Sequence, residues 1–220
     1  MFALQGATAD YGSMSDSTPI VFVVDDDDSV RESLQLLIES AGWLPETFGS
    51  AQDFLARPRA STPNCLVLDV HLPNLSGLDL QTLVADRTDM PIIFITGQGD
   101  VPMTVRAMKA GAFEFLTKPF HDTVLLEAIA GALERSRTAL ATEAEVQRLR
   151  AEYAALSRRE REVMALVTSG LLNKQVGGRL GISEITVKAH RGKVMRKMEA
   201  SSLADLVTKA AKLGLAPPPN

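Results

Sequence analysis

Cysteine is almost absent: Cys65 is the single one in 220 residues. One thiol excludes an intramolecular disulfide framework and fits a reducing compartment. Because it sits in the apolar run Cys65 to Leu68, it is expected to be a small core residue. No apolar stretch approaches the roughly 18 residues of a membrane-crossing helix. No basic segment followed by an apolar core opens the chain, so no secretory leader is expected and the chain is placed in the cytoplasm, away from any membrane. Histidine is scarce as well, and no His or Cys stands close to His190, which argues against a metal ligand there.

What is present is ordinary globular composition, 45% hydrophobic and 23% charged, enough for one or two domains with buried cores. The net charge of −4 hides an asymmetry. Residues 1–150 carry 11 Lys and Arg against 21 Asp and Glu, whereas residues 151–220 carry 12 against 6. A basic half joined to an acidic one points to a polyanionic partner for the second half. The plainer alternative is a small helical domain with a lysine-rich solvated face.

The centre of the first half is CLVLDVHLPNLSGLDL, Cys65 to Leu80, and within it Asp69. The apolar run reads as a buried strand ending at that carboxylate. Other apolar runs end comparably. Val21 to Val24 runs into Asp25 to Asp28, Ile92 to Ile95 into Thr96, and Phe113 to Leu116 into Thr117, Lys118 and Pro119. Taken singly, each feature is ordinary, since an Asp after a strand usually caps a helix or shapes a turn. Together they deliver acids, a hydroxyl and a lysine to one rim, where open parallel sheets keep their chemistry. Clustered carboxylates suit Mg²⁺. A lysine can neutralise phosphoryl oxygens while an Asp attacks as nucleophile.

Strands are expected near 20–24, 44–47, 65–69, 91–95 and 113–116. Helices are expected near 28–41, 50–57, 78–87, 101–110 and 122–138. Their alternation argues a doubly wound parallel α/β sheet. Residues 1–18 are polar and aperiodic, and a disordered tail is expected there. From Asp122 to Leu156 Gly131 is the only strong helix breaker, so one long helix is expected. Leu126, Leu133 and Leu140 mark either a core face or a heptad seam. Val146, Leu149, Tyr153 and Leu156 either pack on the second domain or pair with another chain.

VVDDD (Val23 to Asp27), LDVHLPNLSG (Leu68 to Gly77), FITGQGD (Phe94 to Asp100) and FLTKPF (Phe115 to Phe120) resemble the receiver domain of two-component response regulators. The resemblance covers about 19–134 and implies a flavodoxin-like sheet of order 2-1-3-4-5. It implies that Asp69 accepts a phosphoryl group from a sensor histidine kinase. It further implies Mg²⁺ held by Asp26, Asp69 and the His71 backbone carbonyl, with Asp25 acting through water. Thr96 and Lys118 would touch the phosphoryl group, and Phe115 would be an aromatic switch following Thr96.

Residues 152–216 read as an all-α unit of four helices. Ser157 and Glu160 form a capping box, Asn173 and Ser183 are expected to cap the next two helices, and Ser201 or Ser202 opens the last. Two helices joined at Gly181, the second rich in cations, suggest helix-turn-helix. On that second helix Val187, Val194 and Met198 form a core stripe. Lys188, Ala189, Gly192 and Arg196 lie opposite, flanked by His190, Arg191 and Lys193. Such a face can offer a cation to guanine and a methyl to thymine. LSRREREVMALVTSG, NKQVGGRLGIS and TVKAHRGKVMRKM resemble the LuxR-type DNA-binding domain, and Asn173 and Lys174 join its expected DNA contacts. Gly177-Gly178 departs from a more helix-favouring pair, and Gly192 leaves one base-facing position bare.

Both halves together resemble the NarL/FixJ response regulators, FixJ-like subgroup. The implied function is a transcription factor that dimerises on phosphorylation and binds double-stranded promoter DNA, with a helical linker over 135–151 and RNA polymerase as a candidate further partner. Two rivals stand. One is phosphorylation-independent DNA binding. The other is a Mg²⁺-dependent phosphatase of the haloacid dehalogenase type, with Asp25 and Asp27 as its acid pair. That reading needs a further acidic pair after Lys118 and leaves Asp69 unused.

Overall fold

The structure is a computed structural model, and it describes residues 18–97 and 101–215. The tail expected before Thr18, residues 98–100 of the FITGQGD motif and the closing prolines lie outside the described residues. The chain divides into two units, residues 1–140 and 141–220.

The first unit holds β1 (Ile20–Val24), α1 (Asp28–Ser40), β2 (Leu44–Phe48), α2 (Ala51–Ala56), β3 (Asn64–Asp69), α3 (Gly77–Leu83), β4 (Ile92–Thr96), α4 (Val101–Lys109) and β5 (Glu114–Thr117). The strands are all parallel in the order β2-β1-β3-β4-β5. Strand residues alternate between two apolar layers, as a period of two requires. Val21, Val23, Cys65, Val67, Ile93 and Ile95 meet Leu34 and Ile38 of α1 and Leu125 and Ile129 beyond β5. Phe22, Val24, Leu66, Leu68 and Phe94 meet Phe54 of α2, Leu80 of α3 and Ala107 of α4. Burial on both faces explains why β1, β3 and β4 are continuous apolar runs. Cys65 is part of that core, and burial pushes its thiol pKa up.

Helix α3 ends at Leu83, four residues before the expected position; the backbone leaves helical geometry at Val84, which is buried together with Met90. Helix α5 runs Asp122–Ala154 without interruption. Its core face in the first unit is Leu125, Ile129, Ala132, Leu133 and Ser136. This corrects the seven-residue stripe, since of Leu126, Leu133 and Leu140 only Leu133 is buried. Ser136 is the polar member. Its hydroxyl accepts the Asn64 N–H at 2.9 Å and donates to the Asp89 carbonyl, stitching α5 to the start of β3.

The second unit contains the end of α5 followed by α6 (Arg158–Thr168), α7 (Asn173–Leu180), α8 (Glu184–Lys197) and α9 (Leu203–Lys212). Leu149, Tyr153 and Leu156 pack inside this unit; Leu156 and Tyr153 join Met164, Val194, Met198 and Leu206. Leu149, Tyr153 and Leu156 thus take the first of the two roles open to that stripe, packing on the C-terminal helices. The Ser157–Glu160 capping box opens α6, with both reciprocal bonds formed. Glu160 also receives the Lys197 ammonium at 2.8 Å, and the same ammonium donates to the Ala155 carbonyl. Those bonds hold the buried Glu160 carboxyl down to about 2.

Asn173 is not a cap, which corrects the sequence reading. Leu172 occupies the N-cap position of α7 and offers no side-chain oxygen; only the Gln175 side chain closes the end, accepting the Leu172 N–H. Gly177 is placed by a close approach: a Cβ there would lie 2.7 Å from the Ile182 carbonyl oxygen. The first glycine of the pair therefore seats α7 on the turn before α8 rather than loosening it, while Gly178 faces open space.

Candidate functional site

The carboxyl ends of β1, β3, β4 and β5 deliver Asp25, Asp69, Thr96 and Lys118 to one rim. Asp25, Asp69 and Thr96 are 1%, 5% and 0% exposed, whereas Lys118 is half-buried. The Lys118 ammonium lies 2.7 Å from Asp25 Oδ2 and 3.2 Å from Asp69 Oδ1. Burial alone would lower the lysine pKa, but the two carboxylates more than offset this and hold it above its ordinary range.

The backbone fixes these side chains. Lys118 N–H donates to the Thr96 carbonyl at 2.7 Å, and Val70 N–H donates to Ile95 at 3.2 Å. Asp69 Oδ2 accepts the His71 N–H at 2.6 Å, a local turn that aims the carboxylate. Gly77 packs so tightly against this turn that a Cβ would collide with the Asp69 carbonyl oxygen. The Lys118–Pro119 peptide is cis.

Three parts of this arrangement were not anticipated. Arg31 of α1 donates to the Asp25 carbonyl at 2.7 Å and bonds Asp28. The His71 imidazole, considered only for its backbone, lies with Nδ1 3.1 Å from Thr96 Oγ1. Asp27 accepts the Ser29 amide and hydroxyl as the N-cap of α1, and those bonds lower its pKa. Asp27 thus takes the capping role usual for an Asp that follows a strand.

Asp26 is exposed, and among the described residues no group of three or more His, Cys, Asp or Glu side chains encloses a common point. Asp25 and Asp69 share the Lys118 ammonium. The donor set nonetheless fits Mg²⁺, an ion that keeps several waters and needs only one or two carboxylates. Phe115 is half-buried, its ring centroid 6.0 Å from that of Phe94. On α4 the apolar residues Val101, Val105 and Met108 are exposed at spacings of four and three, forming an uncovered stripe.

In the second unit α8 buries Val187, Val194 and Met198. Lys188, Ala189, Gly192, Lys193 and Arg196 are exposed, and His190 and Arg191 are intermediate. Arg191 reaches Asn173 Oδ1 at 3.3 Å, which ties the start of α7 to α8. Lys188 pairs with Glu184 one turn back at 3.1 Å, an exposed contact that opens at little cost. Lys174, Lys193 and Arg196 have no ion pair among the described residues. His190 keeps Nδ1 buried without a hydrogen-bond partner. Ile185, which the sequence reading passed over, is 80% exposed and stands three and four residues before Lys188 and Ala189, on their face of the helix.

Two family models match this chain. Residues 21–130 match the response regulator receiver domain, and residues 154–210 match the bacterial regulatory proteins of the luxR family. Nodulation protein W of Bradyrhizobium diazoefficiens is 53% identical over 197 residues, which cover 89% of this chain and 87% of that protein. Transcriptional regulatory protein FixJ of Rhizobium meliloti is 43% identical over 205 residues, covering 93% and 100%. Among solved structures, response regulator StyR has a TM-score of 0.79 at 47% identity, covering 89% of this chain and all of that one.

Proposed function

This chain belongs to the response regulators that join a receiver domain to a LuxR-type DNA-binding domain, and on that premise we propose that phosphoryl transfer to Asp69 switches its binding to DNA. The chain is a transcription regulator of a two-component system; the switch, its metal, its dimer and its contacts are our reading. The observation that carries it is the Asp25–Lys118–Asp69 triangle at the carboxyl rim, beside the buried Thr96 hydroxyl.

In this reading an Asp69 carboxylate oxygen attacks the phosphorus of a phosphohistidine on a sensor kinase. The new O–P bond forms as the P–N bond breaks, and the electron pair leaves with the imidazole. Lys118 is already within reach of Asp69 and takes up charge from the phosphoryl oxygens. Asp25, Asp26, Asp69 and the His71 carbonyl would hold Mg²⁺, which supplies further charge neutralisation. The Thr96 hydroxyl turns toward a phosphoryl oxygen, and Phe115 takes the space it leaves. The α4–β5–α5 face then changes, and the exposed Val101, Val105 and Met108 stripe is the apolar surface a second copy covers. Pairing sets two α8 helices on adjacent half-sites of promoter DNA, where Lys188, Ala189 and Gly192 face base edges. Asn173, Lys174, His190, Arg191, Lys193 and Arg196 meet phosphates and sugars. We take residues 19–134 as the receiver, 135–151 as the linker and 152–216 as the DNA-binding domain, in a cytoplasmic protein.

The test is acceptor mapping. Incubation with acetyl phosphate and Mg²⁺ is expected to place the phosphoryl group on Asp69 in wild type and nowhere in Asp69→Ala. Undiminished labelling of another residue in that variant contradicts the assignment.

A further inference from the structure

His71 touches both halves of the switch. Its N–H binds the Asp69 carboxylate, and its ring nitrogen lies against the hydroxyl of Thr96. The Asp69 turn and the Gly77 N–H to Val70 carbonyl bond of 3.0 Å hold the backbone from which the ring projects. His71 is exposed, so its ring is not retained for core packing. Thr96, by contrast, is fully buried, and its side chain is confined to a few staggered positions.

We infer that the His71 imidazole is a latch, which holds the Thr96 hydroxyl in the unphosphorylated arrangement and lowers the fraction of protein that is active without a phosphoryl group. This rests on the reading of Asp69 as the phosphoacceptor. The imidazole and a phosphoryl oxygen compete for this hydroxyl. A hydroxyl has a single proton to donate, and a change of side-chain rotamer carries its oxygen away from its present neighbours. Turning toward a phosphoryl oxygen on Asp69 breaks the contact with Nδ1. A phosphorylated Asp69 makes that exchange worthwhile, whereas a bare carboxylate does not. His71 is therefore a positioning residue acting through Thr96. A single net side-chain hydrogen bond biases a two-state population by about 2- to 10-fold, which sets the size of the effect.

The experiment compares full-length wild type with His71→Ala and His71→Phe. Phenylalanine keeps a ring but has no nitrogen to bond Thr96, so it separates hydrogen bonding from bulk. The dimer fraction is measured by sedimentation velocity, first without phosphodonor and then with beryllofluoride and Mg²⁺ as an aspartyl-phosphate mimic. Both variants are expected to raise the donor-free dimer fraction by about 2- to 10-fold, and the gain on adding beryllofluoride should shrink by the same factor. In wild type the ¹⁵N resonance of His71 Nδ1 should move, on beryllofluoride addition, to where it stands in Thr96→Val. A donor-free dimer fraction equal to wild type in both variants, with wild type still responding to beryllofluoride, overturns the latch and leaves the phosphorylation reading intact. His71→Phe behaving as wild type while His71→Ala does not also overturns it, since bulk would then be the cause. A wild type indifferent to beryllofluoride overturns the phosphorylation reading and the latch with it.

Discussion

Replacing Lys118 by methionine leaves two buried carboxylates facing each other. The ammonium now sits 2.7 Å from Asp25 and 3.2 Å from Asp69. At an effective dielectric of about 20, each contact is a Coulomb attraction of about 5–6 kcal/mol before desolvation. Most of that is offset by the cost of taking three charges out of water, but the variant removes only one of the three. The loss has a ceiling, because a carboxyl can take a proton instead. Starting from an ordinary Asp pKa of about 3.9, neutralising one group at pH 7 costs about 4 kcal/mol. Relaxation of the site and penetration of water lower the expected loss to about 2–3 kcal/mol. The sign with pH follows. Lys118 has a folded-state pKa held above its ordinary range, so its contribution is fully present at neutral pH and is lost as pH rises through the lysine range; the variant's deficit therefore narrows in alkali. Urea unfolding followed by Trp43, the sole tryptophan and part of the receiver core, isolates this domain. Adding Asp25→Asn should restore part of the loss. A Lys118→Met receiver within about 0.5 kcal/mol of wild type at pH 7 refutes the reasoning.

Three further outcomes are expected. Gly177→Ala should destabilise the C-terminal unit by about 1–3 kcal/mol through its clash with the Ile182 carbonyl, whereas Gly178→Ala, facing open space, should stabilise it by up to about 1 kcal/mol; thermal melts by circular dichroism decide, and equal effects contradict the packing. Lys197→Met should cost about 1–3 kcal/mol at pH 7 by leaving Glu160 without its cation. Glu160 has a depressed folded pKa, so its contribution is present above the ordinary carboxylate range and disappears as pH falls toward about 2; the difference between variant and wild type should narrow in acid. Lys188→Ala should cost about 1–3 kcal/mol at one base position, whereas Lys193→Ala should weaken all sequences alike and reduce the salt slope by about 1. A uniform loss in Lys188→Ala reverses that assignment.

The sheet was legible because β1, β3 and β4 are buried on both faces and appear as unbroken apolar runs between turn residues. The rim was legible because the chemistry-bearing residues directly follow those runs. Helix ends were legible where a hydroxyl and an acid close a box, as at Ser157 and Glu160. Asn173 misled because an Asn at the start of a helical segment looks like a cap, while the Gln175 side chain closes that end one residue earlier, at Leu172. The α5 core face was missed because a seven-residue leucine count follows Leu126 and Leu140 and skips Leu125 and Ile129, while Ala132 and Ser136 are buried without being large and apolar. Gly177 looked like a weakness, since its reason is a carbonyl brought near by the following turn. His71 and Arg31 could not be found by local pattern. Their partners come from β4 and from the carbonyl of Asp25, and only the packed sheet brings them together.

The most direct test of the central claim is binding of full-length protein to a selected two-half-site DNA and to its single half-site, with and without acetyl phosphate, in wild type and Asp69→Asn. Phosphodonor is expected to tighten wild-type binding to the paired site, to do little on the half-site, and to do nothing for Asp69→Asn on either. An equal gain on the half-site, or a gain that survives in Asp69→Asn, contradicts it.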